Sequence, residues 1–549
     1  MPITEILDKN AKLYGNMVCL TEINPGLEEN RGLTWKELAL VETAHDVRYR
    51  KELTWRGFEE RANQLAHLLI DRGVERGDKV GILLMNCIEW LPIYFGVLKS
   101  GAIVVPLNFR YSSDEIKYAL DLADVSMLVI GPEFVGRMQE INDRMPGVRA
   151  VFYVGNGGGC PDFAEGYEGL AGSRPRTAPD VALADGDDAA IYFSSGTTGH
   201  PKAILHSHES LVMSCKVEQD HHGQTHDDVF LCIPPLYHTG AKMHWFGSLL
   251  VGGSAVLLRG SRPKWIIETA ASEKATIVWL LVPWAQDILD AIDSGEIDLG
   301  GYDLGAWRLM HIGAQPVPPS LIKRWMQRFP RHAYDTNYGL SESIGPGAVH
   351  LGVGNLHKVG AIGKAGYGWQ ARIVDERGDD VERGGVGELI LRGVCVMKRY
   401  YKDPEATAGT IKGGWLYTGD MAREDADGFI YLVDRKKDVI ITGGENIYPV
   451  QIEDFLRGHA GIKDAAVIGQ ADPRLGEVAV AIIEAKPGAA GCGEEDIRQY
   501  CEQLPRYKRP RKIIFDSVPR NPTGKIEKPK LREKYCGGSI VKQQIEIAD

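Results

Sequence analysis

The sequence has 549 residues, of which 44% are hydrophobic and 25% are charged, as in an ordinary soluble globular protein. The formal net charge of −11 argues against a general nucleic-acid-binding protein, because phosphate backbones need a basic surface. Residues 1–10 contain no long apolar core that would predict a secretory signal, and apolar runs such as 277–282 are too short to span a bilayer. The nine cysteines are scattered without a CxxC pair, which is typical of reduced thiols in a cytoplasmic protein.

The first part of the chain alternates helix-like and strand-like segments. Residues 57–72 place Phe58, Ala62, Leu65 and Leu69 at helical spacing, and residues 90–98 also predict a helix. This alternation predicts an α/β fold with layered helices and parallel strands. The predicted buried strands are 79–86, 102–106, 125–131, 189–195, 254–260 and 276–282.

The sequence changes character from about residue 359. Glycines cluster there, and the β-like segments 387–393 and 429–433 predict a smaller β-rich subdomain. The charged run 434–438 then precedes a stretch with the pattern of a compact α+β module. We therefore predict an N-terminal domain of residues 1–434 and a C-terminal domain of residues 435–549.

The tripeptide LTW occurs twice, at residues 33–35 and 53–55. The segment between the two copies is charged and has no clear period. We interpret residues 36–52 as an inserted surface excursion and not as a structural repeat.

Residues 192–203 combine a strand with a loop whose composition fits a bound phosphate. Small residues leave backbone N–H groups free to face an anion, and hydroxyls and one ammonium add further donors. The loop is not a Walker motif, because Pro201 precedes the lysine and no serine or threonine follows it. A flexible surface loop is the alternative interpretation. The predicted phosphate-binding residues are Ser194, Ser195, Gly196, Thr197, Thr198, Gly199 and Lys202.

Further segments follow this loop along the chain. They are PPLYHTG at 234–240, GAQP at 313–316, NYGLSE at 337–342, YTGD at 417–420, DRKKD at 434–438, TGGENI at 442–447 and NPTGK at 521–525. In type and order these segments resemble the acyl-adenylate-forming superfamily, in its acyl-CoA synthetase branch, over about residues 50–535. The resemblance implies a large N-terminal domain that holds the ATP and acyl sites, and a small mobile α+β C-terminal domain. Ser341 stands where the family usually has threonine, and it retains the hydroxyl.

The resemblance implies a set of ATP-binding residues. Tyr338 would stack on adenine, and Asp420 and Arg435 would contact the ribose. Glu342 would hold Mg²⁺, since a carboxylate beside a phosphate site is costly unless a cation bridges the two. The other implied ATP-binding residues are Gly313, Ala314, Gln315, Asn337, Gly339, Leu340, Ser341 and Lys525.

The implied acyl pocket lies around the histidine of the PPLYHTG segment. His238 corresponds to a gate between the ATP and acyl sites, although a lone histidine can also be structural. Trp245, Trp284 and Gly313 complete the implied pocket, and either tryptophan can instead belong to the core. Lys242 would face the pocket only if a polar substrate group paired with it, and we favour a position in water.

Three features of the C-terminal region concern coenzyme A and domain movement. Gly443 and Gly444 resemble the loop that lines the pantetheine tunnel. Lys437 corresponds to the hinge about which the C-terminal domain rotates between the two half-reactions. The run 506–512 has five basic residues in seven and either meets the phosphates of coenzyme A or forms a solvated face.

These assignments predict an ATP-dependent carboxylic acid–coenzyme A ligase. A carboxylate is a poor electrophile, and adenylation converts it to a mixed anhydride with AMP as the leaving group. The thiol of coenzyme A then attacks the acyl carbonyl, so that the products are an acyl-CoA thioester and AMP. The predicted acid is medium-sized and aliphatic, alicyclic or aromatic. The implied catalytic residues are Lys525, His238, Lys202 and Glu342, with ATP, Mg²⁺ and coenzyme A as co-substrates or cofactors.

Three alternatives share parts of this pattern. An adenylating enzyme that loads a carrier protein would use the same ATP site. A luciferase-like monooxygenase would need an oxygen-accessible site, and a nucleotide-binding protein without activity would not need Glu342, Asp420, Arg435 and Lys525 together. The sequence leaves the oligomeric state, monomer or homodimer, open.

We predict that Lys525→Ala lowers the rate of acyl-adenylate formation by about 100-fold, because the ammonium stabilises charge on the reacting carboxylate and α-phosphate. The same variant should still convert supplied acyl-adenylate to thioester. ATP–pyrophosphate exchange and thioester release, measured separately, check this. Equal loss of both half-reactions would assign Lys525 a different role.

Overall fold

The computed structural model describes residues 1–26, 49–155, 157–194, 201–313, 317–350, 353–443, 445–486, 488, 491–520 and 525–536. The chain divides into two compact units. The first consists of Met1–Gly313, Pro319–Ala371 and Leu391–Leu416, and the second consists of Ala314–Pro318, Arg372–Ile390 and Tyr417–Asp549. The domain boundary between residues 434 and 435 stays a prediction.

The strands of the described residues have the following bounds. They are β1 Val18–Ile23, β2 Arg50–Thr54, β3 Lys79–Leu83, β4 Ile103–Pro106, β5 Val125–Ile130, β6 Ala150–Tyr153, β7 Glu165–Gly166, β8 Asp188–Phe193, β9 Ala203–Ser207, β10 Val229–Cys232, β11 Ser254–Leu258, β12 Ile277–Leu281, β13 Leu309–Gly313, β14 Ala333–Asp335, β15 Asn337–Gly339, β16 Pro346–Val349, β17 Lys364–Ala365, β18 Gln370–Val374, β19 Val386–Arg392, β20 Arg399–Tyr400, β21 Ile411–Lys412, β22 Trp415–Glu424, β23 Ile430–Arg435, β24 Ile440–Thr442, β25 Glu445–Ile447, β26 Ile462–Asp472, β27 Gly476–Ala485 and β28 Lys512–Phe515.

The α-helices of the same residues are α1 Ile3–Tyr14, α2 Trp55–Asp71, α3 Trp90–Lys99, α4 Ser113–Leu122, α5 Val135–Ile141, α6 Tyr167–Gly172, α7 His208–His222, α8 Thr239–Val251, α9 Pro263–Ser272, α10 Val282–Asp293, α11 Pro319–Arg328, α12 Pro404–Thr410, α13 Pro449–Arg457, α14 Glu494–Tyr500 and α15 Lys528–Cys536.

The predicted alternation of helices and strands is confirmed, and local sequence explains where the helices begin. Helix α2 begins after Thr54, whose side chain accepts a hydrogen bond from the backbone N–H of Gly57. Phe58, Leu65 and Leu69, at helical spacing, are fully buried on one face of α2. The predicted excursion 36–52 ends in strand β2, while residues 36–48 lie outside the described residues.

A seven-stranded sheet in the first unit has the order β14-β13-β12-β10-β11-β1-β2. Its neighbouring strands are parallel except β1 and β2, which are antiparallel. Every residue of β12 is buried, as expected for a parallel strand that is covered on both faces. The N-terminal strand β1 pairs with β11, with Leu20 opposite Ala255.

An eight-stranded sheet, also in the first unit, has the order β20-β9-β8-β4-β3-β5-β6-β7. Strands β3 to β8 pair in parallel, and β9 turns back antiparallel to β8. Strand β20 adds to the edge of β9, with Tyr400 opposite Ile204. The end of β8 and the start of β9 therefore hold both ends of the predicted phosphate loop.

The later strands form further sheets in which most of the described pairs are antiparallel, in agreement with the β-rich character of the sequence from about residue 359. One five-stranded sheet has the order β18-β19-β22-β21, with β23 paired to β22. In the second unit, β25-β24-β27-β26 form a sheet to which β28 adds in parallel with β27. Ile452 and Leu456 of α13 are buried in a core with Val467 and Ala481 of this sheet, which gives an α+β module.

Two expectations from composition concern the cysteines and the membrane. All nine cysteines are free thiols in the structure. Among the residues that the structure describes, none of the helices combines the length and apolar character needed to cross a bilayer.

We predict that Gly363→Ala lowers the melting temperature more than Gly360→Ala does. Both glycines have positive φ, near +98° and +100°, which disfavours any residue with a Cβ atom. A Cβ atom at Gly363 would lie 1.8 Å from the carbonyl oxygen of Val349 in β16, whereas a Cβ atom at Gly360 would lie 3.7 Å from Pro319. The clash should cost about 1–3 kcal/mol beyond the shared backbone strain. Equal melting temperatures for the two variants in thermal unfolding would contradict this.

Candidate active site

The two ends of the predicted phosphate loop are fixed to each other. The backbone N–H of Ser194 donates to the carbonyl oxygen of Lys202 at 3.0 Å, and the N–H of Lys202 donates to Oγ of Ser194 at 3.0 Å. Both residues are half-buried. The residues between them, 195–200, lie outside the described residues. The base of the loop is therefore closed by hydrogen bonds that continue the pairing of β8 and β9.

Lys202 and Glu342 contact the same aromatic side chain. The ammonium of Lys202 lies over the ring of Tyr400, 4.8 Å from its centroid. The hydroxyl of Tyr400 donates a hydrogen bond to Oε1 of Glu342 at 2.9 Å. Burial and the nearby carboxylate of Glu342 hold the pKa of the Tyr400 hydroxyl above its ordinary value, so the hydroxyl stays protonated and remains a donor.

The backbone around Glu342 is fixed by the residues just before β20 and by β9. The N–H of Met397 donates to the carbonyl oxygen of Glu342 at 2.7 Å. Nε2 of His206, on β9, lies 2.8 Å from the carbonyl oxygen of Ser341. The structure thus brings together two of the predicted catalytic residues, and Tyr400 is a functional candidate that sequence reasoning missed.

The segment 337–341 is held by a three-stranded sheet of β15, β16 and β17. Tyr338 is buried on β15, while Asn337 donates from Nδ2 to Oε1 of Glu218 at 3.4 Å. A Cβ atom at Gly339 would lie 2.3 Å from the carbonyl oxygen of Gly345, so only glycine fits there. The N–H of Leu340 donates to Oγ of Ser343. The predicted contacts of this segment with adenine stay predictions.

His238 begins helix α8 and is half-buried. Its Nδ1 accepts a hydrogen bond from the N–H of Gly240 at 3.3 Å, as in a helix N-cap. A Cβ atom at Gly240 would lie 2.9 Å from the ring of Trp279, and a Cβ atom at Gly313 would lie 3.9 Å from Nε1 of the same ring. Trp279 on β12 therefore lies beside two segments of the predicted acyl pocket, although the sequence analysis did not name it.

The two tryptophans of the predicted acyl pocket differ in position. Trp245 is fully buried and packs with Phe58, Phe95 and Phe246. Trp284 on α10 is half-buried. The side chain of Lys242 and the residues Ala314 and Gln315 lie outside the described part of the chain.

In the second unit, the two predicted ribose-binding residues form an ion pair. Asp420 and Arg435 are register partners on β22 and β23, and Nε of Arg435 lies 2.6 Å from Oδ1 of Asp420. Asp420 is buried, and Gly419 before it has a positive φ of 70°. The N–H of Gly419 donates to Oε1 of Glu388 at 3.0 Å. The ion pair fixes a carboxylate, which accepts hydrogen bonds, beside a guanidinium, which donates them. Two neighbouring hydroxyl groups of a ligand can bond to such a pair.

The other predicted residues of the second unit lie in exposed or half-buried positions. Lys437 is exposed in the 3₁₀ segment Lys436–Asp438. Gly443 has a positive φ of 56°, and its N–H donates to the carbonyl oxygen of Leu475. Lys525 is half-buried next to the isolated bridge between Arg520 and Ile526. Gly444 lies outside the described residues.

Comparison with known proteins places these segments in one family. The family model described as AMP-binding enzyme matches residues 33–401, and the model of the AMP-binding enzyme C-terminal domain matches residues 451–525. The first match covers more than half of the chain and contains the phosphate loop, His238, Glu342 and Tyr400.

Individual relatives agree with this match over nearly the full length. The long-chain-fatty-acid–CoA ligase FadD13 of Mycobacterium tuberculosis is 31% identical over 503 residues, which is 90% of this chain and 95% of the relative. The feruloyl-CoA synthase of an Amycolatopsis species is 32% identical over 489 residues, 88% of this chain and 94% of the relative. The solved structure of the anthranilate CoA ligase AuaEII in complex with anthranoyl-AMP superposes with a TM-score of 0.84 and 26% identity, covering 97% of both chains. The chain therefore belongs to the AMP-binding enzyme family and contains both the main domain and the C-terminal domain of that family.

Proposed function

We propose that this protein is an ATP-dependent carboxylic acid–coenzyme A ligase. It forms an acyl-adenylate and pyrophosphate from the acid and ATP, and then an acyl-CoA thioester and AMP. The observation that carries the proposal is the contact of Lys202 and Glu342 with one tyrosine at the base of the phosphate loop. A positive and a negative side chain held this way suit a polyphosphate and its counterion.

Adenylation requires that negative charge on the phosphates be neutralised while the carboxylate attacks. Lys202 would contribute its ammonium to the departing pyrophosphate, and Lys525 would stabilise the reacting carboxylate and α-phosphate. Among the described residues, Oε1 of Glu342 accepts the hydrogen bond from the Tyr400 hydroxyl. Its other carboxylate oxygen, Oε2, would be the one that binds Mg²⁺. When bound, Mg²⁺ supplies charge neutralisation at the pyrophosphate leaving group.

The remaining proposed roles divide between the nucleotide and the thiol. The ion pair of Asp420 and Arg435 would receive the ribose, with Asp420 accepting from its hydroxyl groups. His238 would separate the ATP and acyl sites. For the second half-reaction, rotation about Lys437 would withdraw Lys525, and the thiol of coenzyme A would pass the loop at Gly443.

The proposed substrate is a medium-sized aliphatic, alicyclic or aromatic acid. Trp279 lies against both Gly240 and Gly313, so its ring limits the depth available between these two segments. The flat ring of Trp279 would pack well against a flat or compact apolar group of the acid. The ferulate and anthranilate of the relatives' names fit this description, and the long-chain acid of FadD13 is the alternative that the experiment must separate. We place the enzyme in the cytoplasm.

We predict that the purified protein, incubated with ATP, Mg²⁺ and coenzyme A, produces AMP, pyrophosphate and an acyl-CoA thioester. Among benzoate, cyclohexanecarboxylate, octanoate, palmitate and a dicarboxylate, kcat/KM should be highest for one of the first three acids. Mass spectrometry of the products identifies the thioester. Preference for palmitate or the dicarboxylate would overturn the substrate assignment alone, whereas pyrophosphate exchange without thioester formation for any acid would overturn the choice of coenzyme A.

We predict that Glu342→Gln raises the Mg²⁺ concentration required for half-maximal pyrophosphate exchange, because a hard cation prefers charged oxygen ligands.

We predict that Tyr400→Phe lowers kcat/KM by about tenfold or more, since a hydrogen bond to a charged group is worth about 1.5–3 kcal/mol. The ring that contacts Lys202 is kept in this variant.

Tyr401→Phe is the matched control for Tyr400→Phe. The hydroxyl of Tyr401 donates to Asp124 at 2.9 Å, away from Glu342, and its loss should leave kcat/KM close to that of the wild type. A Mg²⁺ titration of Glu342→Gln that overlays on the wild type would refute the metal assignment. Equal kinetics for the two tyrosine variants would refute the role of Tyr400.

A further inference from the structure

A buried cluster of metal-binding side chains lies in the first unit. It consists of His221, His222, His311 and Asp335, all buried, and one ligand atom from each residue lies within 4.8 Å of the other three. His221 and His222 end helix α7, His311 lies on β13 and Asp335 ends β14. The cluster is not part of the proposed adenylation chemistry, and it contains no cysteine that would have marked a metal site in the sequence.

Sheet geometry places two of these residues side by side. His311 and Asp335 are register partners on the parallel strands β13 and β14, so their side chains leave the same face of the sheet. Oδ1 of Asp335 accepts a hydrogen bond from the N–H of Thr336 at 2.9 Å. This contact fixes the carboxylate and directs Oδ2 towards His221, whose Nδ1 lies 3.1 Å away.

His222 and His311 also lie in direct contact. Nε2 of His222 lies 3.0 Å from Nδ1 of His311. The other nitrogen of His222, Nδ1, lies 3.6 Å from Oε2 of Glu218, a carboxylate one helical turn earlier on α7. An outer carboxylate of this kind fixes the ring orientation of a metal-binding histidine and raises its basicity.

We propose that these four side chains form a closed Zn²⁺ site. Zinc binds histidine nitrogen at about 2.0–2.1 Å in tetrahedral geometry, which puts neighbouring ligand atoms about 3.3 Å apart. The contacts between His222 and His311 and between His221 and Asp335 are already close to that separation. The other separations, which reach up to 4.8 Å, would have to shorten when the metal binds.

The ligand types select the class of metal. Three imidazoles and one carboxylate suit a divalent transition metal such as Zn²⁺, whereas Mg²⁺ prefers oxygen ligands and retains its water. The carboxylate of Asp335 and the outer carboxylate of Glu218 are both buried. A dication bound here would add a positive charge beside both carboxylates, in addition to the contacts that they make with histidines. Four protein ligands leave no open position, which is typical of a structural site.

The site lies next to segments that the proposed reaction uses. His311 precedes Gly313 by two residues on β13, and Asp335 precedes Asn337 by two residues. The metal would tie the end of α7 to both strands and so hold these two segments in position. Because the four ligands are independent of ATP, the site can be tested whether or not the proposed ligase activity is correct.

The experiment measures metal binding by the full-length protein without ATP. After removal of metals with a chelator, the wild type should take up one Zn²⁺ per chain, measured by elemental analysis, and its melting temperature should rise. Co²⁺ should replace Zn²⁺ and give the visible absorption of a tetrahedral nitrogen–oxygen site. Mg²⁺ should do neither. A wild type that takes up neither Zn²⁺ nor Co²⁺ overturns the proposal and leaves a hydrogen-bonded histidine network.

Variants separate the site from adventitious binding. Asp335→Asn and His311→Gln each remove a ligand and should abolish the Co²⁺ spectrum. Glu218→Gln keeps all four ligands and should weaken Zn²⁺ binding by about 10–100-fold. This graded effect keeps the test decisive if a ligand variant does not fold.

His332→Gln is the matched control for these variants. His332 is a buried histidine that stacks on Trp307, outside the cluster, and its replacement should leave the Co²⁺ spectrum unchanged. Metal uptake by Asp335→Asn that equals the wild type, or a Zn²⁺ affinity of Glu218→Gln that equals the wild type, would overturn the proposal. Loss of the spectrum in His332→Gln to the same extent as in the ligand variants would do so too.

Discussion

The hydrogen bond between Tyr400 and Glu342 depends on where the edge strand β20 lies. This two-residue strand pairs with β9, which in turn pairs with β8, so that Tyr400 reaches the end of the phosphate loop from a part of the chain about 200 residues away. One aromatic ring then contacts the ammonium of Lys202 and, through its hydroxyl, the carboxylate of Glu342. The two opposite charges are held apart by a side chain that contacts both. A polyphosphate and its cation need this separation, since a direct ion pair between the two residues would leave neither available.

Local sequence predicted the longer elements well because their burial follows a simple period. Helix α2 and strands such as β12 bury residues at spacings of about 3.6 and in continuous runs, respectively, and both patterns are visible without any tertiary information. Strand β20 could not be predicted in this way, since two residues define no period and their pairing partner is distant in sequence. Tyr400 was missed for the same reason, because nothing near it distinguishes a functional tyrosine from its neighbour Tyr401.

The candidate site was accessible to sequence reasoning where a residue type is fixed by chemistry or by backbone space. Asp420 and Arg435 were named from separate segments, and strand register then places them in one ion pair. Gly339 was named within a motif, and the close approach of Gly345 explains why no side chain is tolerated there. Trp279 and the cluster of His221, His222, His311 and Asp335 were not named, because their proximity arises from the packing of α7 and the register of parallel strands. Buried histidines and tryptophans are common in protein cores, so these residue types alone do not show in the sequence which of them lie together.

The position of strand β1 in the seven-stranded sheet has a consequence for how the protein folds. This strand lies between β11 and β2, and Leu20 pairs with Ala255, so the sheet joins residues separated by more than two hundred positions. During synthesis, β1 must therefore remain without its parallel partner until the chain has been extended past β11. Closing so long a loop is entropically costly before the strand contacts compensate, and unpaired apolar strands are prone to aggregate in the meantime. The hydrogen bond from Asn10 of helix α1 to the carbonyl oxygen of Leu249 can form only at the same late stage. The N-terminal segment thus completes its contacts with the first unit only after β11 has been made, although its antiparallel partner β2 is available much earlier.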